Sequence, residues 1–385
     1  MAYLAPKSPT VDRREEVKED DKIILSDDQQ RAFDILNNLE PKGIVFLTGK
    51  AGTGKSTLVN EFCKQYSGVI KLASTGIAAQ NIGGRTIHSF MGLRPGKWEI
   101  DAYSLKEKAG LSKFVMIDEV SMVNRELLDF VISNLRMYIE GVKILLVGDF
   151  CQLPPVEGDF CYKSRYWKEV KKCELTHMHR QSDPDFIEAL NDIRDNKIYS
   201  PKAKELIEER TTEEFPDNAT VVTPRRYIAE SYNNDRLEGL GVKIYENEAG
   251  ILKGKWKDNK IPQIVRYAEG ARILMLTNNR KGGWVNGSAG YIAHIDNRGE
   301  VVIKLDKSGH VYVEIEEHEL LDGRGRPVLV FKQYPFQLGY AITIHKSQGM
   351  TMDQIAVDMS NHFADGMTYV ALSRCRTKEG LYLIP

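Results

Sequence analysis

Hydrophobic and polar positions fall in blocks along the chain, and from Ile23 onward those blocks keep an α/β rhythm. Four short apolar runs bounded by Gly, Asp or Ser stand out: Gly43 to Thr48, Val69 to Ala73, Phe114 to Ile117 and Lys143 to Val147. Such runs are what strands of a parallel sheet need when helices cover both of its faces. Two stretches between them carry apolar residues at helical spacing instead. Lys55 to Tyr66 places Leu58, Val59, Phe62, Cys63 and Tyr66 on one side, and Arg125 to Ile139 does so with Leu128, Val131, Ile132, Leu135 and Ile139. Strands alternating with amphipathic helices predict a doubly wound α/β domain.

A second α/β segment runs from Glu174 to Leu240, with a strand at Ala219 to Thr223. From about Gly270 to Leu338 the pattern changes to short strands and Gly-bearing turns without a helix: Arg272 to Thr277, Gly290 to Ile295, Val301 to Leu305, Val311 to Ile315 and Val328 to Lys332. That pattern predicts a small β-barrel. α/β character returns from Gly339 to Leu383. The expected division is a disordered tail over 1–22, a first lobe over 23–170, a second lobe over 171–265 and 339–385, and a barrel inserted at 266–338.

Composition changes this picture little. The 385 residues are 42% hydrophobic and 28% charged, as in an ordinary globular protein. A formal net charge of −1 argues against coating nucleic acid by bulk electrostatics, but leaves room for a narrow groove with a few basic contacts. The longest apolar stretches, such as Lys143 to Gly148, are too short to span a bilayer. The first residues lack the apolar core of a signal peptide, so a cytoplasmic, nucleoid-associated location and no membrane partner are expected. The five cysteines form no C-x-x-C pair and read as free thiols. With His177 and His179 as the only close histidine pair, no zinc site is expected.

The strand ending at Thr48 runs into Gly49-Lys-Ala-Gly-Thr-Gly54-Lys55-Ser56, which opens the first amphipathic helix. This is a complete G-x-x-x-x-G-K-[ST] loop in its strand–loop–helix setting. Glycines let backbone N–H groups turn inward around phosphate oxygens, Lys55 reaches the β- and γ-phosphates, and the Ser56 hydroxyl ligates Mg²⁺. Farther on, Phe114-Val-Met-Ile-Asp118-Glu119 is an apolar strand ending in two carboxylates. Asp118 suits Mg²⁺, and Glu119 suits orienting or deprotonating the attacking water. A third strand ends in Gly148-Asp149-Phe150-Cys151-Gln152, where Gln152 can touch the γ-phosphate and the attacking water. ATP and Mg²⁺ are the expected cofactors.

Further stretches fall into a known order: Leu25 to Gln29, Thr75 to Ala79, Thr86 to Phe90, Ile117 to Met122, Gly148 to Val156, His179-Arg-Gln181, Thr343-Ile-His-Lys-Ser-Gln-Gly349 and Tyr369 to Arg374. With them the chain resembles the superfamily-one B-type helicases, and within these the PIF (petite integration frequency) branch, related to RecD-like helicases. In place of the Pro-Phe-Gly-Gly stretch common in that branch stands Tyr138-Ile-Glu-Gly-Val-Lys143. The resemblance implies two RecA-like lobes with an SH3-like barrel inserted in the second. It also implies DNA unwinding with 5′→3′ polarity, in DNA replication, recombination and repair.

It further assigns Gln29 to the adenine edge, and Arg180 and Arg374 to the γ-phosphate as arginines supplied by lobe two. Gly52, Thr53, Gly54, Thr57 and Gly349 are assigned to the nucleotide. For the DNA track it points to Thr75, Gly76, Thr223 and Thr343 as strand-end grips on phosphates. His88, Phe90 and His345 are stacking or wedge candidates, Pro155 leans on a base, and Asn234 and Lys346 add polar contacts.

Single-stranded DNA and single/double-strand junctions are the implied partners, with G-quadruplexes and RNA–DNA hybrids as open substrate classes and a monomer as the expected state. The segment around 92–110 matches the place of a strand-separating insertion, with a solvated surface hairpin as the other reading. The barrel either flanks the DNA exit path or serves as a stabilising or docking module. An ATP-gated single-strand-binding or remodelling module with weak unwinding is the alternative to a helicase.

Overall fold

The computed structural model describes residues 24–385 apart from 67, 94–97, 99, 257–260, 278, 280, 281, 285, 297–299, 308, 322–326 and 361–365. The tail expected over 1–22 lies outside the described residues. The chain proceeds through α1 (Asp27–Asn37), β1 (Ile44–Gly49), α2 (Lys55–Gln65), β2 (Ile70–Ala73), α3 (Gly76–Asn81), β3 (Arg85–Thr86), α4 (Ile87–Met91), α5 (Ala102–Ala109), β4 (Phe114–Asp118), α6 (Arg125–Tyr138), β5 (Lys143–Val147) and β6 (Val170–Leu175). The six strands form one parallel sheet in the order β3-β2-β4-β5-β1-β6.

β1 explains why its run has no polar face. Ile44 and Phe46 enter the core beneath α6, while Val45 and Leu47 enter the core beneath α1 and α2. Alternate residues of one strand thus feed two hydrophobic layers. α6 starts where Asn124 Oδ1 accepts the Leu127 N–H at 2.9 Å and buries Leu128, Val131, Ile132 and Leu135. β6 is a departure from the sequence reading, which closed the first lobe at residue 170. It pairs with β1 from Ile44↔Val170 to Gly49↔Leu175 and completes the first sheet. Part of the 92–110 segment is likewise α5, capped by Asp101 and packed through Leu105 and Ala109 into the first lobe.

The second half continues with α7 (Pro184–Arg194), α8 (Pro201–Arg210), β7 (Thr220–Thr223) and α9 (Arg226–Glu238). Ten strands follow: β8 (Tyr245–Glu248), β9 (Gly250–Gly254), β10 (Ile264–Tyr267), β11 (Arg272–Met275), β12 (Ala289–Ile295), β13 (Val301–Leu305), β14 (Gly309–Val313), β15 (Glu316–Leu321), β16 (Pro327–Gln333) and β17 (Phe336–Leu338). β18 (Ala341–Thr343), α10 (Ile344–Ser347), β19 (Ile355–Asp358), α11 (Met367–Leu372) and β20 (Leu381–Ile384) close the chain. β18-β7-β19-β20 form a second parallel sheet, so the fold is two RecA-like lobes.

The ten inserted strands pair antiparallel throughout, as a five-stranded sheet β14-β13-β12-β11-β17, a three-stranded sheet β15-β16-β9 and a ribbon β10-β8. This pairing begins at Tyr245, ahead of residue 266. No helix among the described residues is long and apolar enough to cross a membrane. The five cysteines are free, with Cys161 and Cys375 buried.

Candidate nucleotide and DNA sites

β1 delivers the chain into the glycine-rich loop, where Gly54 adopts φ 79° and caps α2. A side chain at Gly54 would collide with the Gln29 carboxamide, so the absent Cβ brings α1 against the loop. Gln29 is buried: its Oε1 accepts the Ser26 N–H at 3.0 Å, and its Nε2 faces the Thr53 and Gly54 carbonyls at 3.4 and 3.5 Å. Lys55 Nζ donates to the Gly49 and Lys50 carbonyls at 2.6 and 2.9 Å. Burial lowers its pKa, while Asp149, Glu119 and Asp118 pull the other way. Thr53 is buried, and its hydroxyl donates to the Lys50 carbonyl at 2.9 Å, so that side chain braces the loop.

Beside the loop lies a cavity of about 380 Å³. Gly52, Gly54, Lys55, Ser56 and Thr57 form one wall, and Glu119 and Gln152 arrive from the ends of β4 and β5. Gly349 and Arg374 line it from the second lobe, and Arg180 lines it from beside Gly52. His179, Thr351 and Arg376 also line it, and the sequence reading had not singled them out. His179 was nonetheless signalled by the quoted His179-Arg-Gln181 stretch, and Arg376 by its place two residues beyond Arg374. Gln29, Thr53 and Asp118 stand outside this lining.

At the tip of β4, Glu119 has a left-handed backbone, φ 50°, and its N–H donates to Asp118 Oδ1 at 2.9 Å. Strain of this kind concentrates where a side chain must be aimed for chemistry. Burial, and then the neighbouring Glu119 charge, push the Asp118 carboxyl up to about 7. Burial raises Glu119 as well, opposed by Lys55 and Arg374. Asp118, Glu119 and Ser56 share a second cavity of about 200 Å³ behind the first. Carboxylate and hydroxyl oxygens suit a hard divalent cation that takes its remaining ligands from phosphate and water.

The two lobes meet across this cleft through specific bonds. Tyr369 on α11 accepts the Ala51 N–H of the loop at 2.8 Å. Gly366, φ 76°, lets α11 approach the Cys151 and Gln152 carbonyls, which a side chain there would strike. Asp149 past β5 is buried and paired with Arg194 of α7, through Nη2 to Oδ1 at 2.8 Å and Nε to Oδ2 at 3.2 Å. Arg374 is 2% exposed, with Nε on the Val370 carbonyl at 2.7 Å. Burial lowers its pKa, with Tyr369 and Glu119 opposing.

Arg180 departs from the lobe-two origin that the resemblance implied. It stands on the connector between β6 and α7, where the His179 N–H donates to the Gly52 carbonyl at 2.9 Å. The Asp28 carboxylate accepts the Thr176 and His177 N–H groups at 2.7 and 2.9 Å, pinning that connector to the first lobe. From there Arg180 Nη1 reaches the Ser373 carbonyl of the second lobe at 2.9 Å. Burial, then the nearby Arg374 charge, bring its pKa down to about 9.

A separate groove of about 680 Å³ joins the first lobe, α9, the β8–β10 region and β18. Thr75, Asn234, Thr343 and Lys346 line it, so four of the DNA candidates come together. Thr75 and Thr343 occupy equivalent places. Each stands at the end of a parallel strand, Thr343 as the last residue of β18 and Thr75 two residues past β2, and caps a short helix, accepting the Lys346 N–H and the Ala78 N–H respectively, both at 3.2 Å. Gly76 is the first residue of α3. Asn234 accepts Arg266 Nη1 at 2.8 Å. Trp256, edge-on to Phe331, forms an aromatic wall that the sequence reading missed. Its only signal was the Lys253-Gly-Lys-Trp-Lys257 alternation of cations with an aromatic ring.

Two candidates need correction. Phe90 is 1% exposed in the first lobe's core, so its ring cannot stack on a base. Thr223 is fully buried, and its hydroxyl donates to Asp358 Oδ2 at 2.8 Å, out of reach of a phosphate. His88 is exposed on α4, Pro155 and His345 are half-buried, and none of the three lines the groove. Burial lowers the pKa of His345.

Two parallel-sheet lobes that share a glycine-rich phosphate loop, strand-end carboxylates and arginines facing them define a two-lobed P-loop motor. The family model for the PIF1-like helicases matches residues 24–204. The chain is 33% identical to the ATP-dependent DNA helicase Pif1 of Bdellovibrio bacteriovorus, over 94% of its own length and 88% of that protein's. It is 31% identical to the ATP-dependent DNA helicase PIF1 of Xenopus laevis over 99% of its length, but spans only 64% of that relative. Unliganded Pif1 from Bacteroides superposes with a TM-score of 0.80 at 29% identity, covering 94% of this chain and 92% of that one. The Bacteroides protein bound to single-stranded DNA gives 0.65 at 28% identity with the same coverage. The chain belongs to the PIF1-like helicase family.

Proposed function

We propose that ATP hydrolysis in the 380 Å³ cleft drives this DNA helicase along single-stranded DNA, with the 5′→3′ polarity of the superfamily-one B-type enzymes it resembles. One observation carries the reading. Lys55, Glu119 and Gln152 from the first lobe and Arg374 from the second face one cavity, so a bound triphosphate would touch both lobes at once.

In this reading Gln29 stands beside Gly54 to meet the adenine edge. Backbone N–H groups from Gly52 to Thr57 cradle phosphate, and Lys55 leaves the Gly49 and Lys50 carbonyls to bind the β- and γ-oxygens. Ser56 and Asp118 would hold Mg²⁺, which supplies Lewis-acid neutralisation of the phosphate charge. Glu119 takes a proton from the attacking water while Gln152 orients it. The water oxygen bonds to the γ-phosphorus as the bond from that atom to the β–γ bridging oxygen breaks, and ADP leaves with the electron pair. Arg180 and Arg374 meet charge on the γ-phosphoryl oxygens, and closure of the lobes thereby depends on that group. Thr75 and Thr343 grip successive phosphates, and Asn234 and Lys346 add contacts.

The test measures ATP hydrolysis with and without an oligo-dT strand, wild type beside Glu119→Gln, followed by strand displacement on 5′-tailed and 3′-tailed duplexes. DNA stimulation abolished by the substitution, with displacement confined to the 5′ tail, is expected. Stimulated hydrolysis without displacement on either tail would favour the ATP-gated binding module. Displacement on the 3′ tail would reverse the polarity.

A further inference from the structure

Of the stretch His179-Arg180-Gln181, the first two residues line the nucleotide cleft and the third does not. Gln181 is 4% exposed. Its Nε2 donates to the Cys375 carbonyl at 2.9 Å and faces the Ser373 carbonyl at 3.3 Å, the two carbonyls that flank Arg374. The same side chain also abuts the glycine-rich loop. A Cβ on Gly52 would meet Gln181 Oε1 at 3.3 Å and Arg180 Cβ at 2.5 Å. One carboxamide thus spans from the phosphate loop of the first lobe to the turn that carries Arg374 in the second.

The carboxamide gives up a hydrogen bond to do this. Its Oε1 is buried and has no partner among the described residues. An unmatched buried acceptor costs stability, and its presence calls for a reason. Turning the amide over would set that oxygen against two carbonyl oxygens, so the main chain beside Arg374 dictates the orientation. Arg374 lies two residues past the end of α11 at Leu372, where helix carbonyls run out of intrahelical partners. Its side chain folds back on that helix, with Nε on the Val370 carbonyl at 2.7 Å and Nη2 on Ser373 Oγ at 2.9 Å. A guanidinium that leaves these bonds for a phosphoryl oxygen keeps its aim only if the main chain beneath it is held.

We propose that Gln181 is a positioning residue for Arg374, its carboxamide holding the main chain on both sides of the arginine so that the guanidinium reaches the γ-phosphoryl group from a fixed base. This rests on the assignment of Arg374 to that group. Arg180 Nη1 also holds the Ser373 carbonyl, at 2.9 Å, but gives up that bond when it turns to the phosphate. Gln181 stays. Because it follows the connector that Asp28 pins to the first lobe, it ties the arginine of one lobe to the phosphate loop of the other.

Gln181→Met keeps the length of the side chain and removes the donor. ATP hydrolysis with saturating oligo-dT is measured for wild type, Gln181→Met, Arg374→Ala and the double variant, with single turnovers at excess enzyme for the slow ones. The kcat of Gln181→Met is expected to fall roughly tenfold to a hundredfold, as for a reacting group displaced by about an ångström, while KM for ATP stays near wild type. In the Arg374→Ala background the same substitution should change the rate by less than about twofold, because no guanidinium remains to be aimed. A kcat within about twofold of wild type, a loss confined to KM, or an equal loss in both backgrounds overturns the proposal. Equal losses in particular would mark a residue that supports the fold and does not act through Arg374. Should the Met variant not fold, Gln181→Asn retracts the amide by one methylene and carries the same comparison with the same outcomes. Wild-type rates in Arg374→Ala would instead overturn the assignment of Arg374 itself, so the two failures are distinct.

Discussion

The nucleotide cleft and the groove proposed for DNA are built from different chemistry, although both lie where strand ends of the two lobes face each other. Charges crowd the cleft: Lys55, Arg180 and Arg374 on its walls, Glu119 among them, and the buried Asp149–Arg194 pair behind. The groove sets two hydroxyls, four carboxamides and one indole beside an apolar wall, with Thr75, Thr343, Asn233, Asn234 and Trp256 among its lining, and two of its three cations, Arg226 and Arg266, stand beside glutamates. Bond cleavage requires charge placed where charge develops, and a buried site multiplies its worth. A strand that must be released and gripped again needs many weak contacts instead. The contrast predicts large losses from single substitutions in the cleft and small, additive losses in the groove.

Arg374→Ala should have the largest effect. Loss of an arginine finger costs about 10³–10⁵ in rate, so stimulated hydrolysis should fall to near background while oligo-dT still binds. Steady-state ATPase and anisotropy on one preparation read both. A loss below about tenfold would remove Arg374 from the reaction and break the contrast at its strongest point.

Arg194→Ala tests whether the charges behind the cleft hold the lobes together. It leaves the fully buried Asp149 carboxylate without its cation, which typically costs about 3–5 kcal/mol. Thermal unfolding should show the loss as a lowered Tm. An unchanged Tm would mean that the pair carries no interlobe stability.

What the sequence disclosed follows the same division. The cleft was legible because its chemistry fixes residue types at fixed spacings, so Lys55, Ser56, Glu119, Gln152, Arg180, Gly349 and Arg374 all line one cavity. The first sheet was legible wherever strands are apolar on both faces. β6 was not, because Lys171, Lys172 and Glu174 give an edge strand no apolar run. The groove was half legible. Thr75 and Thr343 follow from strand ends, but Thr223 matches the same local pattern and turns inward, Phe90 on α4 is buried as well, and only tertiary packing separates them from the groove residues. Trp256 comes from the antiparallel insertion, far in sequence from every motif that marks the lobes.

Trp256→Ala therefore probes a contact with no motif behind it. Stacking of one base on an aromatic ring is worth about 1–3 kcal/mol, so affinity for oligo-dT should fall roughly 5–150-fold. Hydrolysis at saturating oligo-dT should fall far less than in the Arg374 variant. Affinity unchanged within twofold would exclude Trp256 from the track and leave the groove's apolar wall without a role.

The smallest effect expected concerns charge in the groove itself. Lys346, Arg226 and Arg266 line it, Arg226 beside Glu230 at 2.6 Å and Arg266 near Glu238 at 3.3 Å. Each phosphate neutralised on a single strand contributes about −0.7 to the slope of log affinity against log salt. If all three cations meet phosphate the slope is about −2, and acidic neighbours that hold Arg226 and Arg266 bring it nearer −0.7. Lys346→Ala should then flatten the slope by about 0.7 and weaken binding at low salt severalfold. A slope steeper than about −4 in wild type would mean that the strand runs over cations outside this groove. The neutral-grip account would fail with it, because hydroxyl and amide contacts release no counterions.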